Sequence, residues 1–456
     1  MPSGDSYDYD SSILEAWHPM IRGAVDSDAR CHGLAPVEAG EFWYWPDLSC
    51  WIDRQGMVTS VAGGEPTHEG SLNGFDPQKS WSEWSTKIPA LWTKWEALLP
   101  EPADFESLRE AIYQAASQLS LSPKQDEYST DASRHAAEFS GNIQVLTGEI
   151  GGLGGSAMIA FNHEIASRIP YTSQAQGAAA LVAAYAVQME QLVWRVARTN
   201  LDRTIKEAVN AFQGAYPGGH GEGSLAWLGY LSEVAGALAL VPSPASAVLG
   251  TISGAAGSLS TFADHLGADT DPLPLGGDSP QAVCDNVTKA LDDLNDVIVR
   301  GENAVAAGCR DAMAAVHGDP YTYALSDSAR PAILDQDDPR ALLSIDVEYS
   351  VLDDLADVTL PGIASGFDLA HHFLDGSLNP APFVRTSGVG QDPYADFAAY
   401  VAEVQAQLTS TSWKVSTAAA HLRAVVKDFR ATDDWVAQAH RDLEQHTQNV
   451  GPAPLP

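Results

Sequence analysis

Positive charge is what this sequence has least of. Against 60 Asp and Glu it sets only 25 Lys and Arg, a formal net charge of −35. Such a surface repels phosphate backbones and anionic lipid headgroups, which argues against nucleic-acid binding and against electrostatic docking on membranes. Cysteine is scarce too, with four in 456 residues, too few for a disulfide scaffold. Cys284 and Cys309 fall on one predicted helix, where their sequence separation corresponds to roughly 37 Å of rise, too far to bridge. Cys31 and Cys50 flank an aromatic patch and are expected as buried free thiols, a pairing being open only if the protein is exported. No run of eighteen apolar residues occurs, so no ordinary spanning helix is expected. The opening stretch MPSGDSYDYDSS is acidic and lacks a basic region followed by an apolar one. The expectation is therefore a cytoplasmic protein or one exported by a leaderless route, not one with a conventional secretory signal.

Catalytic signatures are equally sparse. There is no G-x-S-x-G elbow and no cysteine–histidine pattern. "FNHEIAS" offers His163-Glu164 without the second histidine of a zincin. "FDLAHHFLDG" sets Asp368 with His372 and His371 with Asp375 four apart, a spacing that can hold a metal but also suits helix-surface hydrogen bonds. No catalytic residue, metal or cofactor is assigned.

What the chain does have is hydrophobic content, 45%, enough to bury a substantial core, and the spacing of a mainly α protein. Residues 1–100 form a Trp-rich region with eight of the twelve tryptophans. There "EFWYWPDLSCWIDRQGMVTSV" (41–61) has β-type composition with a turn at Arg54-Gln55-Gly56, predicting a short hairpin. Trp81, Trp84, Trp92 and Trp95 then fall at helical spacings interrupted by Pro89, as expected of aromatic packing against a bundle, with a ligand-stacking surface as the alternative.

From 101 to 215 the pattern predicts a helical hairpin. Ala132, Ala136, Phe139, Ile143, Leu146 and Ile150 alternate four and three apart, and a second apolar face runs from Leu181 to about residue 213. Residues 216–280 hold an apolar Gly/Ala hairpin at 225–265 and a Pro-rich linker. Neither of its helices is comfortably long enough to span a bilayer, and Glu233 interrupts the first. Burial in the bundle and conditional membrane insertion are both open. Residues 281–342 give a long amphipathic helix to about 317 and an irregular connection. A helix near 346–374 and a long one at 393–447 make a final hairpin within 343–448, before a tail at 449–456. The expected fold is an elongated antiparallel helical bundle.

"GEIGGLGGSAMIAF" (148–161) packs five glycines into eight residues. A phosphate loop needs a strand before the glycines, and a P-loop also needs Lys-Ser/Thr after them. Here a helical stripe precedes and Ser156-Ala157-Met158 follows, so a helix–helix turn fits better. The arrangement resembles the WXG-type proteins, the small helical-hairpin substrates of type VII (ESX) secretion systems of the actinobacterial kind. Leu153-Gly154-Gly155 takes the place of their Trp-x-Gly turn, with Leu153 where the tryptophan stands. Ala157 takes the small position, and Ala160-Phe161 the "AF" that packs back on the hinge. "HLRAVVKDFRATDDWVAQA" resembles the tail of ESX-secreted proteins, with Phe429 and Asp433 at the aromatic-x-x-x-acid positions of the export signal, where tyrosine is usual. "SIDVEYSVLDDLADV" resembles the start of the small ESX-secreted hairpins, which makes its own Tyr349-x-x-x-Asp353 incidental, like Tyr323-x-x-x-Asp327. The resemblance implies a non-enzymatic, exported substrate or structural component that docks on the secretion ATPase or on a helical-hairpin partner protein. A membrane-active effector using 225–265, or a cryptic hydrolase, are the competing classes.

Overall fold

The computed structural model describes residues 9–37, 42–46, 49–60, 71–96, 98–121, 130–150, 161–218, 224–225, 273–325 and 349–449. Helix accounts for 79% of them, so the mainly α class follows. The amino-terminal region is more structured than its sequence suggests. A helix α1 (Tyr9–Cys31), unexpected from the pattern, precedes four strands: β1 (Ala35–Val37), β2 (Phe42–Trp45), β3 (Cys50–Asp53) and β4 (Val58–Ser60). These form an antiparallel meander in sequence order. The expected hairpin is its β3–β4 corner. There Asp53 Oδ1 accepts the Gln55 and Met57 amides at 2.9 and 2.8 Å, and Gly56 takes a φ of +83° that L side chains rarely adopt. Trp43 and Ile52 face inward and Trp51 outward, the strand alternation at work.

Helix α2 (Pro77–Trp92) starts with Asp76 accepting the Gln78 and Lys79 amides and Pro77 in its first turn. It runs through Pro89 instead of breaking there. Trp84, Trp92 and Trp95 are buried, so they serve the core and do not make a stacking surface.

The bundle proper comprises α3 (Phe105–Gln118), α4 (Thr130–Ile150), α5 (Ile169–Gln213), α6 (Pro280–Gly318), the single turn α7 (Pro320–Tyr323), α8 (Tyr349–Asp354), α9 (Leu360–Asp375) and α10 (Tyr394–Asn449). π turns at Asn162–Ala166 and Leu355–Thr359 lead into α5 and α9, and a minimal ladder pairs β5 (Ser224–Leu225) with β6 (Leu273–Pro274). The stripe predicted on α4 is buried, from Ala136 through Ile150. Ser279 caps α6 through the Ala282 amide, ahead of Pro280.

Helix α5 is the centre. It is about 67 Å long at the usual rise; it is buried around most of its circumference near Ala178–Ala184 and along one face on to Trp194 and Phe212, with Arg195, Thr199 and Lys206 exposed. Burial this extensive needs several neighbours, and α1, α3, α6 and α10 supply them. Side-chain bonds fix the directions. Helix α3 is antiparallel to α5, since Arg109 reaches Gln191 while Leu119 meets Ser173. Helices α9 and α10 are antiparallel, but α6 and α10 run parallel: Arg310–Asp396 and His317–Glu403 are both 86 positions apart (396 − 310 and 403 − 317). The bundle is thus not antiparallel throughout.

The glycine turn 151–160, with Leu153, Gly155 and Ala157, lies outside the described residues. A helix and not a strand leads into it, because Gly148 belongs to α4. Phe161 is described, buried and part of the common core. However, α4 packs chiefly on α3 and α9, and α5 on other helices, so the two arms do not form a self-contained hairpin. The reason is steric. Gly366 of α9 leaves room for the Phe139 ring, whose Cδ2 would lie 2.1 Å from an added Cβ, and α4 closes on α9 there. Of the apolar hairpin expected at 225–265, Leu225 belongs to β5, and the rest, with Leu231, Glu233, Leu238, Val248 and Ile252, lies outside the described residues. Among those described, no helix is long and apolar enough to cross a membrane.

Candidate functional site

The carboxyl-terminal reach of α10 holds the predicted signal residues. Its early stripe (Val404, Leu408, Val415, Leu422, Val426) is buried against the bundle, Phe429 is half-buried, and each residue from Arg430 to Asp442 is exposed. The bundle stops and the helix continues. From 430 to 449 it extends about 30 Å. Trp435 is 70% exposed and Val436 43%, values that a solvated helix end does not need.

Three polar rungs tie α10 to α8 and the π turn after it, one before this exit and two just beyond it. Arg423 Nε donates to Asp357 Oδ1 at 2.5 Å and its Nη2 to the Ala356 carbonyl at 2.9 Å. Arg430 donates to Asp353 and stacks over the Tyr349 ring, 5.4 Å from its centroid. The Tyr349 hydroxyl donates to Asp433, and that bond raises the phenol's pKa. Tyr349 and Asp353, whose spacing is incidental as an export motif, thus both bond α10, at Asp433 and at Arg430. Tyr323 is a core residue, 4% exposed.

A second constellation escaped the sequence reading. Glu190 of α5 and Glu302 of α6 both have fully buried side chains, and Arg385 from the α9–α10 loop lies between them with its side chain 6% exposed. Arg385 Nη2 donates to Glu190 Oε1 at 3.1 Å, and its Nη1 meets Glu302. Trp194 Nε1 donates to the same Glu190 oxygen at 2.9 Å, and its ring lies 5.1 Å from the guanidinium. Glu302 accepts the Gln391 amide, and Asn295 accepts that of Gly390 at 2.9 Å. Gly390 has a φ of +67°, and an added Cβ would strike the Glu302 carboxylate.

Burial pushes the Glu190 carboxyl up, against the smaller opposing pulls of Arg385 and Trp194. Its Oε2 has no hydrogen-bond partner among the described residues. A buried carboxyl with a raised pKa beside a second carboxylate is a feature of acid–base sites, but both side chains here have zero exposure. The cluster instead fastens the loop 376–393 onto α5 and α6, which needs the charges paired and sealed.

The other candidates resolve into helix-surface pairs. His371 Nδ1 and His372 Nδ1 stand 3.9 and 3.7 Å from Asp375 oxygens, and Asp375 is engaged by Gln405 at 2.8 Å. No group of three potential ligands gathers among the described residues. His163 bonds Glu164 on the surface. No disulfide forms among the four cysteines; Cys31 is exposed and Cys50 half-buried, contrary to the burial expected, while burial pushes the Cys284 and Cys309 thiols up to about 11 and about 12. An open groove of about 620 Å³ runs along α10 beside His371 and Trp413. No family model, curated protein or solved structure matches this chain.

Proposed function

We propose that this chain is a non-enzymatic exported substrate or structural component of a type VII (ESX-like) secretion system, acting through helical protein–protein contacts. Its partner is the secretion ATPase or a helical-hairpin protein, and its destination is outside the cell or on its surface by a leaderless route. One observation carries the reading: α10 leaves the bundle at Phe429 and presents Arg430 through Asp442 to solvent with Trp435 uncovered. A helix read by a docking groove must be presented in this way. Phe429 and Asp433, four apart, share one face at the point of exit. The WXG-like turn at Leu153, Gly155, Ala157 and Phe161 belongs to the same proposal and rests on the sequence resemblance.

Two substitutions test it. Asp433→Ala removes an exposed carboxylate and should change stability by no more than about 0.5 kcal/mol. The folded variant should accumulate inside its native host while wild type reaches the culture medium, with a cytoplasmic marker as lysis control. Tyr349→Phe removes the intramolecular hydrogen bond and keeps the carboxylate, so it should be exported like wild type. Equal export of Asp433→Ala and wild type would remove the type VII reading.

A further inference from the structure

Helix α10 carries two heptad stripes, and the bundle uses one. The other faces solvent: Ala402, Ala406, Thr409, Trp413, Ser416 and Ala420 are all exposed, alternating four and three apart, with Trp413 64% exposed. In a chain with 60 acidic residues, a charge-free exposed seam on a well-packed helix calls for a cause. Small residues in the two positions of a heptad seam let another helix approach closely, and Trp413 is a knob in need of a hole.

The seam's spacing is the same read from either end. Its positions pair as 402 with 420, 406 with 416 and 409 with 413, each pair summing to 822. An antiparallel neighbour of identical sequence therefore sets alanine against alanine, Ala406 against Ser416, and the one large residue against a small one. The seam's extensions obey the same rule. Ala395 falls opposite Lys427 and Ala399 opposite Arg423, all four exposed, which brings Lys427 of one copy beside Asp396 of the other.

We propose that α10 pairs antiparallel with α10 of a second copy of this chain. Trp413 of each copy packs over Ala406, Thr409 and Ser410 of the other. Those three residues line the groove of about 620 Å³, which is the hole the knob requires. From 395 to 427 the seam is about 48 Å long and one helix wide, roughly 500 Å² per copy. That is below the roughly 800 Å² per partner of a standard interface, so a micromolar dimer is expected. Each copy carries −35, and this repulsion is screened within roughly 8 Å at physiological ionic strength. Dimerisation through a seam that is uncharged from Ala402 to Ala420 should therefore tighten as salt is added, whereas an interface held mainly by ion pairs would weaken.

Sedimentation velocity of the full chain across about 1–100 μM, at low and high salt, reads this directly. The expected result is a monomer–dimer equilibrium shifted toward dimer by salt. Trp413→Asp, at an exposed position, should keep its melting temperature and weaken the dimer by roughly a hundredfold or more. Register is checked by cross-linking in a background with Cys31 and Cys50 replaced by Ser. Mixing Ala406→Cys with Ser416→Cys chains should give the mixed disulfide in preference to either self-pair. A chain that stays monomeric at about 100 μM in high salt overturns the proposal and leaves the seam to a different protein. So does a Trp413→Asp variant that dimerises like wild type, or Ala406→Cys chains that cross-link preferentially to themselves.

Discussion

Arg385→Met is expected to lower the stability of the bundle by about 3–5 kcal/mol at pH 8, the usual cost of removing one partner from a buried ion pair. The variant leaves the Glu190 and Glu302 carboxylates at zero exposure without the guanidinium that both of them meet. It also releases the loop from the Phe383 carbonyl, which the Arg385 Nε holds at 3.0 Å. The deficit should depend on pH. Burial already holds Glu190 above the ordinary carboxylate range, so the folded protein keeps a proton that the unfolded chain gives up. Stability from that proton is fully present below the unfolded pKa and is lost as pH rises through the folded one. Taking away the guanidinium removes the largest influence that lowers Glu190 and raises the folded value further. Urea denaturation at pH 8 and at about pH 5 should show the deficit of Arg385→Met shrinking at the lower pH. A deficit under about 1 kcal/mol, or one equal at both pH values, would mean that the charges are not sealed as described.

Phe139→Ala should cost a similar amount, about 3–5 kcal/mol, for a different reason. Phe139 is 1% exposed and meets Phe367 edge-on, ring centroids 5.2 Å apart. Its ring lies against the Cα of Gly366, so α4 and α9 already approach at backbone distance and have little room to collapse into the void. The same geometry predicts coupling. Gly366→Ala in wild type forces the ring aside and should cost about 1–3 kcal/mol. In the Phe139→Ala background the added methyl enters empty space, and its cost should fall toward zero or reverse. Additive effects in this double-mutant cycle, read by denaturant midpoint, would contradict the interlock of α4 with α9.

How much of this was legible depended on periodicity. The stripes of α4, α6 and α10 announced themselves because their apolar residues recur at three and four and are buried as spaced. Helix α1 did not, because Pro19 and several charges interrupt its short apolar series. Pairing is a different matter. A stripe carries no direction, so neither the parallel run of α6 with α10 nor the docking of α4 on α9 could be read from spacing. For α4 the decisive feature was a missing side chain, at Gly366.

The buried acids did leave a trace. Val187, Glu190, Trp194, Ala197 and Leu201 alternate three and four apart, as do Ile298, Glu302, Val305 and Cys309, so each carboxylate occupies a core position of its stripe. A charge in that place demands a partner. The partner, Arg385, sits in a loop without periodicity, which hid it. At the signal region, the four-residue spacing of Tyr349, Asp353 and Asp357 marks one helix face, but only the fold shows that this face meets Arg423, Arg430 and Asp433.

The central claim is that the bundle displays the end of α10 for recognition, and a chain ending at Arg430 tests it most directly. Removal of residues 431–456 takes away the exposed stretch with Trp435 and leaves the core helices intact, so the melting temperature should stay within about 2 °C of wild type. Expressed in its native host beside the full chain, the shortened protein should remain in the cell lysate while the full chain appears in the medium. A shortened, folded protein exported as well as the full chain would contradict the claim that the end of α10 is what the export machinery reads.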